Sequence, residues 1–251
     1  MSEPRNILQV NEVTKRFGGI VALDGLSLSL LSGELRCILG PNGCGKTTLF
    51  NILTGAFSPT SGSVKFRGEE ISGKAPADIA RLGISRKFQV PGIYLELSVD
   101  KNIELPLAAA NRHPSVLSLL RHRRSSDSIE KLKRFAGLTE KGHVPAGELS
   151  HGEKQKLEMA MLLATGADLL LLDEPTAGMS GAETSAIATL VRQLTTELGK
   201  TVLVIEHDMN FVRELSCPVT VMARGKAIAH GSYDDIRGDP AVIECYLGRA
   251  A

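Results

Sequence analysis

The stretch Gly40-Pro41-Asn42-Gly43-Cys44-Gly45-Lys46-Thr47-Thr48 limits what this chain can fold into more than any other. It follows Leu35-Arg36-Cys37-Ile38-Leu39, which reads as a short buried strand, and runs into Leu49-Phe50-Asn51-Ile52-Leu53, apolar at helical spacing. Strand, glycine-rich turn and helix is the context a phosphate-cradling loop requires. Gly40, Gly43 and Gly45 allow a tight turn that brings backbone N–H groups close to an anion. The helix that follows aims its unpaired N–H groups at the same point. Lys46 supplies a mobile cation, and the Thr47 hydroxyl suits Mg²⁺, a hard ion that prefers oxygen. The plain alternative, a glycine-rich turn with a surface lysine, needs all these residue types to coincide in roughly 1% of chains this long, given average glycine usage.

At 251 residues the chain is long enough for one large domain or two small ones. Hydrophobic residues make up 43% and charged residues 23%, a globular composition. Lys+Arg total 29 against Asp+Glu 28, so net charge gives no case for nucleic acid as a partner. No apolar run approaches the ~18 residues of a membrane span, and the first residues lack a signal-peptide core. Cys37, Cys44, Cys217 and Cys245 are widely spaced and form no metal-ligand pattern, so reduced thiols in a cytoplasmic protein are expected. The 4% of aromatic residues argues against a stacking platform for sugars or single strands.

Along the chain, Leu8 to Phe17 and Leu23 to Leu31 read as strands, the second with Leu26, Leu28 and Leu30 on one face. They predict an antiparallel sheet leaning on the core. Phe17 is either a base-stacking ring or a core residue at a strand end. A short strand over Ser63–Phe66, a proline-opened helix over Pro76–Leu82 and a strand from Gly83 to Gln89 follow. Val99–Ala110, Ser115–His122 and Asp127–Gly137 have helical spacing. Leu95 to about Thr165 therefore reads as a mostly helical insertion. Its basic cluster Arg121-His122-Arg123-Arg124 fits a solvated helix end better than a contact with lipid head groups or an acidic partner.

Two further stretches carry chemistry. Leu169-Leu170-Leu171-Leu172-Asp173-Glu174-Pro175 fits a buried parallel strand ending in carboxylates, at the sheet edge where α/β folds bind ligands. Asp173 can hold Mg²⁺ through water, and Glu174 can polarise an attacking water as general base. Leu149-Ser150-His151-Gly152-Glu153 has capping-box spacing, a complete structural explanation, although a serine at a helix tip also suits a phosphate. Lys200 to His207 reads as a second buried strand, with His207 at its end placed to sense a phosphate. Cys217–Ala223 and Lys226–His230 form a closing hairpin, and Tyr233–Leu247 a helical tail opened again at Pro240.

These motifs, in this order, resemble the ATP-binding subunits of ABC transporters across essentially the whole length. The resemblance implies a P-loop NTPase α/β core, an antiparallel β subdomain and an inserted α-helical subdomain. It makes residues 1–251 a single ABC ATPase domain, with 1–94 and 166–251 as the core and 95–165 as the helical part. The cofactors implied are ATP and Mg²⁺. Phe17 would stack on adenine, and Gly40, Pro41, Asn42, Gly43, Cys44, Gly45, Lys46, Thr47 and Thr48 would cradle the phosphates. Thr47, Gln89 and Asp173 would serve the metal and its waters. Glu174 would be the catalytic base, with His207 and Gln89 beside it. Ser150 and Gly152 would bind ATP held by a second ATPase subunit, identical or different.

Transmembrane permease subunits and a periplasmic solute-binding protein are the further partners implied. The location implied is peripheral, on the cytoplasmic face of the cell membrane. Two departures stand out: His151 where most members have glycine, and Ser180 near the place of a usual aspartate. The finer resemblance is to the branched-chain amino acid and urea uptake branch: Arg86-Lys87-Phe88-Gln89, Leu149-Ser150-His151-Gly152 before Lys154-Gln155, Ala177-Gly178-Met179 and the short tail look like the ATPase of a urea or short-chain amide importer. The alternatives weighed are an exporter ATPase of the lipopolysaccharide type and a soluble ABC ATPase of translation or DNA repair. The latter class usually has two cassettes or a long coiled-coil insertion.

Overall fold

The computed structural model describes residues 6–87, 92–110 and 122–247. Strands β1 (Asn6–Phe17) and β2 (Ile20–Leu31) turn back on each other at Gly18-Gly19. Their register sets Val10 opposite Leu28 and Val13 opposite Leu26. The alternation in β2 thus buries Leu26, Leu28 and Leu30 while Ser27 and Ser29 face water. β4 (Ser61–Phe66) and the short β5 (Glu69–Glu70) complete a four-stranded antiparallel sheet of order β2-β1-β4-β5, as expected.

The second sheet begins with β3 (Leu35–Leu39), which leads through the glycine-rich turn into helix α1 (Lys46–Leu53). Helix α2 (Pro76–Leu82) opens on its proline and closes on Gly83. It delivers β6 (Ile84–Lys87). Helices α3 (Val99–Ala110) and α4 (His122–Ala136) follow, then 3₁₀ turns at Thr139–Lys141 and Ala146–Glu148, then α5 (His151–Ala164). β7 (Leu169–Asp173), α6 (Gly181–Thr196), β8 (Thr201–Glu206) and α7 (Met209–Leu215) return the chain to the sheet. β9 (Val219–Ala223), β10 (Lys226–Gly231), α8 (Tyr233–Arg237) and α9 (Pro240–Leu247) end it. The helix expected over Ser115–His122 falls almost wholly outside the described residues, as does Gln89.

The strand order is β10-β9-β3-β8-β7-β6, with every pairing parallel except β9 with β10. Every residue of β7 and β8 is buried, which is why both read as unbroken apolar runs rather than alternating ones. Leu169 and Leu171 pack with Phe50 and Phe66 beneath the antiparallel sheet. Leu170 and Leu172 pack on the other face with Ile187, Leu190, Val191 and Leu194 of α6. Each buried leucine contributes about 2 kcal/mol. A third apolar cluster gathers Val99, Ile103, Leu138, Leu157 and Ala164 within the helical region. Helix α5 belongs to both, with Met159, Leu162 and Leu163 on the sheet side.

Candidate functional site

Because β3, β7 and β8 are parallel, their carboxyl ends fall on one edge, and register aligns Leu39 with Glu206 and Asp173 with Ile205. The glycine-rich loop, the carboxylate pair and His207 therefore converge although far apart in sequence.

In the loop, Gly45 has φ +109°, and a Cβ there would lie 2.5 Å from the Ala22 carbonyl oxygen, so only glycine fits. Gly43 is also left-handed, at φ +78°. The Cys44 carbonyl accepts from the Gly225 N–H at 2.9 Å, which anchors the loop to the β9–β10 turn. Lys46 is buried, and its Nζ donates to the Gly40 and Pro41 carbonyls at 2.5 and 3.0 Å. Its ammonium thus lies across the loop, where a phosphate would meet it. Pro41 and Thr48 are half-buried, and Asn42, Gly43 and Thr47 are exposed. No side chain caps α1. Cys44 points inward, and burial raises its thiol pKa.

Asp173 is buried and accepts from an Arg86 guanidinium nitrogen at 2.6 Å. Another Arg86 nitrogen donates to Asn51 Oδ1 at 2.6 Å, and the guanidinium carbon sits 5.4 Å from the Phe50 ring centroid. The sequence reading gave no role to Arg86 or Asn51. The available signal was two successive cations, Arg86 and Lys87, on a strand that had to be buried. Glu174 is half-buried, in the left-handed region at φ +45°, and its N–H donates to the Ile205 carbonyl. That conformation turns it away from the strand, so that its Oε1 lies 3.2 Å from His207 Nδ1.

Glu206 is the second residue missed. It is 1% exposed and accepts from the Thr176 hydroxyl at 2.8 Å and the His207 N–H at 3.1 Å. Burial pushes its carboxyl pKa up, against the opposing pull of Thr176 and the two following amides. A carboxylate ending an apolar strand was visible in the sequence, but its partners were not.

The structure brings together the loop, Asp173, Glu174 and His207. Ser150 and Gly152 line a different cleft, with Glu153, Lys156, Ala182, Glu183, Ala186 and Ile187. Ser150 caps α5 in a full capping box, its own N–H donating to Glu153 at 3.0 Å. Lys141 at 2.5 Å is the main cause that holds the Glu153 carboxyl pKa down. A Cβ on Gly152 would meet Glu183 Oε1 at 3.0 Å, so glycine lets α5 and α6 approach. His151 Nε2 lies 3.2 Å from the Ala177 carbonyl oxygen, tying the tip of α5 to the segment after Pro175. Ser180 caps α6 with Glu183, so the place of the usual aspartate is taken by a helix start. Phe17 is 41% exposed and meets Phe57 edge-on at 5.3 Å, with Lys15 Nζ 5.1 Å from its centroid.

The family model described as "ABC transporter" matches residues 23–177, and one described as "Branched-chain amino acid ATP-binding cassette transporter" matches residues 228–251. The chain is 38% identical, over all of both sequences, to the high-affinity branched-chain amino acid transport ATP-binding protein BraF of Pseudomonas aeruginosa. Among solved structures, the ADP conformation of MJ1267, an ATP-binding cassette of an ABC transporter, superposes with a TM-score of 0.85. It is 32% identical, and the match covers 98% of this chain and 100% of that one. The dimeric post-hydrolysis state of the ATP-binding cassette MJ0796, bound to ADP and phosphate, gives 0.75 at 26% identity over 90% and 98%. These matches, which extend well beyond the loop, place the chain in the ABC transporter family as an ATP-binding subunit, an ATPase whose conversion of ATP and water to ADP and phosphate is coupled to transport.

Proposed function

We propose that this subunit powers an importer of branched-chain amino acids, working as one of a pair of ATPases beneath transmembrane permease subunits. A periplasmic solute-binding protein would deliver the solute. Its position in this reading is peripheral, on the cytoplasmic face of the membrane; no helix among the described residues is long and apolar enough to cross it. The solute class rests on the relatives, including BraF, and on the match at residues 228–251. The urea or short-chain amide reading rests only on the short motifs around Gln89, Ser150 and Gly178 and on the short tail.

The single observation that carries the chemistry is the pairing of Glu174 with His207 at 3.2 Å, at the end of the strand that bears Asp173. In this reading Glu174 takes the proton of the attacking water, and His207 orients Glu174 and contacts the departing phosphoryl group. Lys46 and the loop N–H groups bind the outer phosphates. Mg²⁺ supplies charge neutralisation there, and the donors fit it: the Thr47 hydroxyl and the Asp173 carboxylate are hard oxygens. Among the described residues no group of three or more His, Cys, Asp or Glu could hold a metal ion. Gln89 would serve the same waters. Phe17, beside Lys15 and Phe57, would stack on adenine. The residues lining the Ser150 and Gly152 cleft include none from the glycine-rich loop, which supports their serving a nucleotide held by the second subunit.

Glu174→Gln is expected to keep ATP binding, lower turnover at least ~100-fold as loss of a general base does, and accumulate an ATP-bound dimer. Phosphate release and light scattering measure both. Turnover at the parent rate would overturn the assignment of Glu174. Uptake of leucine against urea by vesicles containing the assembled transporter decides the solute.

A further inference from the structure

Strand β6 carries two buried cations in succession, and a strand sends consecutive side chains to opposite faces. Arg86 leaves toward α1 and holds Asp173. Lys87 leaves toward α5, where its Nζ lies 3.1 Å from Glu158 Oε2, with the two side chains 5% and 7% exposed. Glu158 is two turns along the helix whose tip presents Ser150 and Gly152. Burial raises the Glu158 carboxyl pKa, and Lys87 pulls it back.

Stability alone does not account for such a pair, since two well-packed apolar groups in place of a buried ion pair are often neutral or better. Met159, Leu162 and Leu163 pack α5 on the sheet, and a cleft of about 180 Å³ runs beside the pair, lined by Ser85, Arg86, Lys87, Gly92, Pro106 and Glu158 among others. The ion pair joins α5 of the helical region to β6, the strand whose Arg86 holds Asp173.

We propose that Lys87 and Glu158 are positioning residues whose ion pair sets the angle of α5 on the core sheet, and so the placement of Ser150 and Gly152 toward a second subunit's nucleotide. The proposal rests on the two-subunit reading above.

The test uses the full chain carrying Glu174→Gln, alone or with Lys87→Met plus Glu158→Met, which removes both charges without stranding either. A third chain carries the exchange Lys87→Glu plus Glu158→Lys. Fluorescent ATP titration reads nucleotide affinity, ultracentrifugation with MgATP reads dimer affinity, and melting reads fold. The double neutral variant is expected to melt no lower than its parent and bind nucleotide within about twofold. Its dimer should be about tenfold or more weaker, the range of a coupling between sites. The charge exchange is expected to recover most of that loss. A double neutral variant that dimerises as tightly as its parent, or an exchange that recovers nothing, would overturn the proposal alone. A parent that stays monomeric with MgATP would overturn the two-subunit reading and this proposal with it.

Discussion

Ser150 shows how one residue can serve fold and function at once. As N-cap it accepts from the Glu153 N–H at 3.3 Å. Ser150→Ala should therefore lower stability by about 1 kcal/mol, whereas Ser150→Asn, also a good cap, should not. Melting of the two variants separates the cap from any contact with nucleotide. Glu206 makes a different kind of prediction. Its carboxyl pKa is raised above the unfolded value of about 4.5, so the folded chain holds that proton more tightly than the unfolded one. The stability it contributes is complete below pH 4.5 and is lost as pH rises through its folded value. Glu158 has the same sign. Glu70, Glu153, Glu183 and Asp235 have lowered values and act oppositely, losing their contribution as pH falls below the unfolded values. Glu206→Gln should therefore flatten the stability profile above pH 4.5 and leave the acid limb unchanged, as read by denaturant melts at stepped pH.

At the level of elements, the strands were legible because their signals are local. β2 alternates because one face is wet, and β7 does not because both are covered. The capping box at Ser150 was legible for the same reason. Helices α6 and α7 were not assigned from the sequence. Yet Ser180 and Glu183 have capping-box spacing, and Ile187, Leu190, Val191 and Leu194 fall on one helical face, so the signal for α6 was there to be found. The ion pairs could not have been read. Arg86 and Asp173 are 87 residues apart, and only the parallel pairing of β6 with β7 brings them together. The same holds for Lys87 with Glu158. A charged residue in a short strand shows that a partner is needed, and topology decides which one.

For the molecule as a whole, nucleotide binding and folding are linked, because the loop exists only in the folded chain. ATP at about 100 times its dissociation constant should add about 2.7 kcal/mol. For a chain of this size that corresponds to a rise in melting temperature of roughly 5–11 °C. Lys46→Ala should abolish most of the rise, and scanning fluorimetry with and without ATP measures it. An equal rise in the variant would mean that the phosphates are held elsewhere. The order of the central sheet has a further consequence. β8 lies between the strand that feeds the loop and the strand that bears the acid pair, with Glu206 turned inward and His207 outward. Deleting a single residue upstream in that strand would leave the amino-acid content almost untouched. It would nonetheless draw His207 into the buried place of Glu206, push Glu206 into the apolar place of Ile205 and leave Asp208 where the imidazole stood. Counting residues along β8 matters as much to the chemistry as which residues they are.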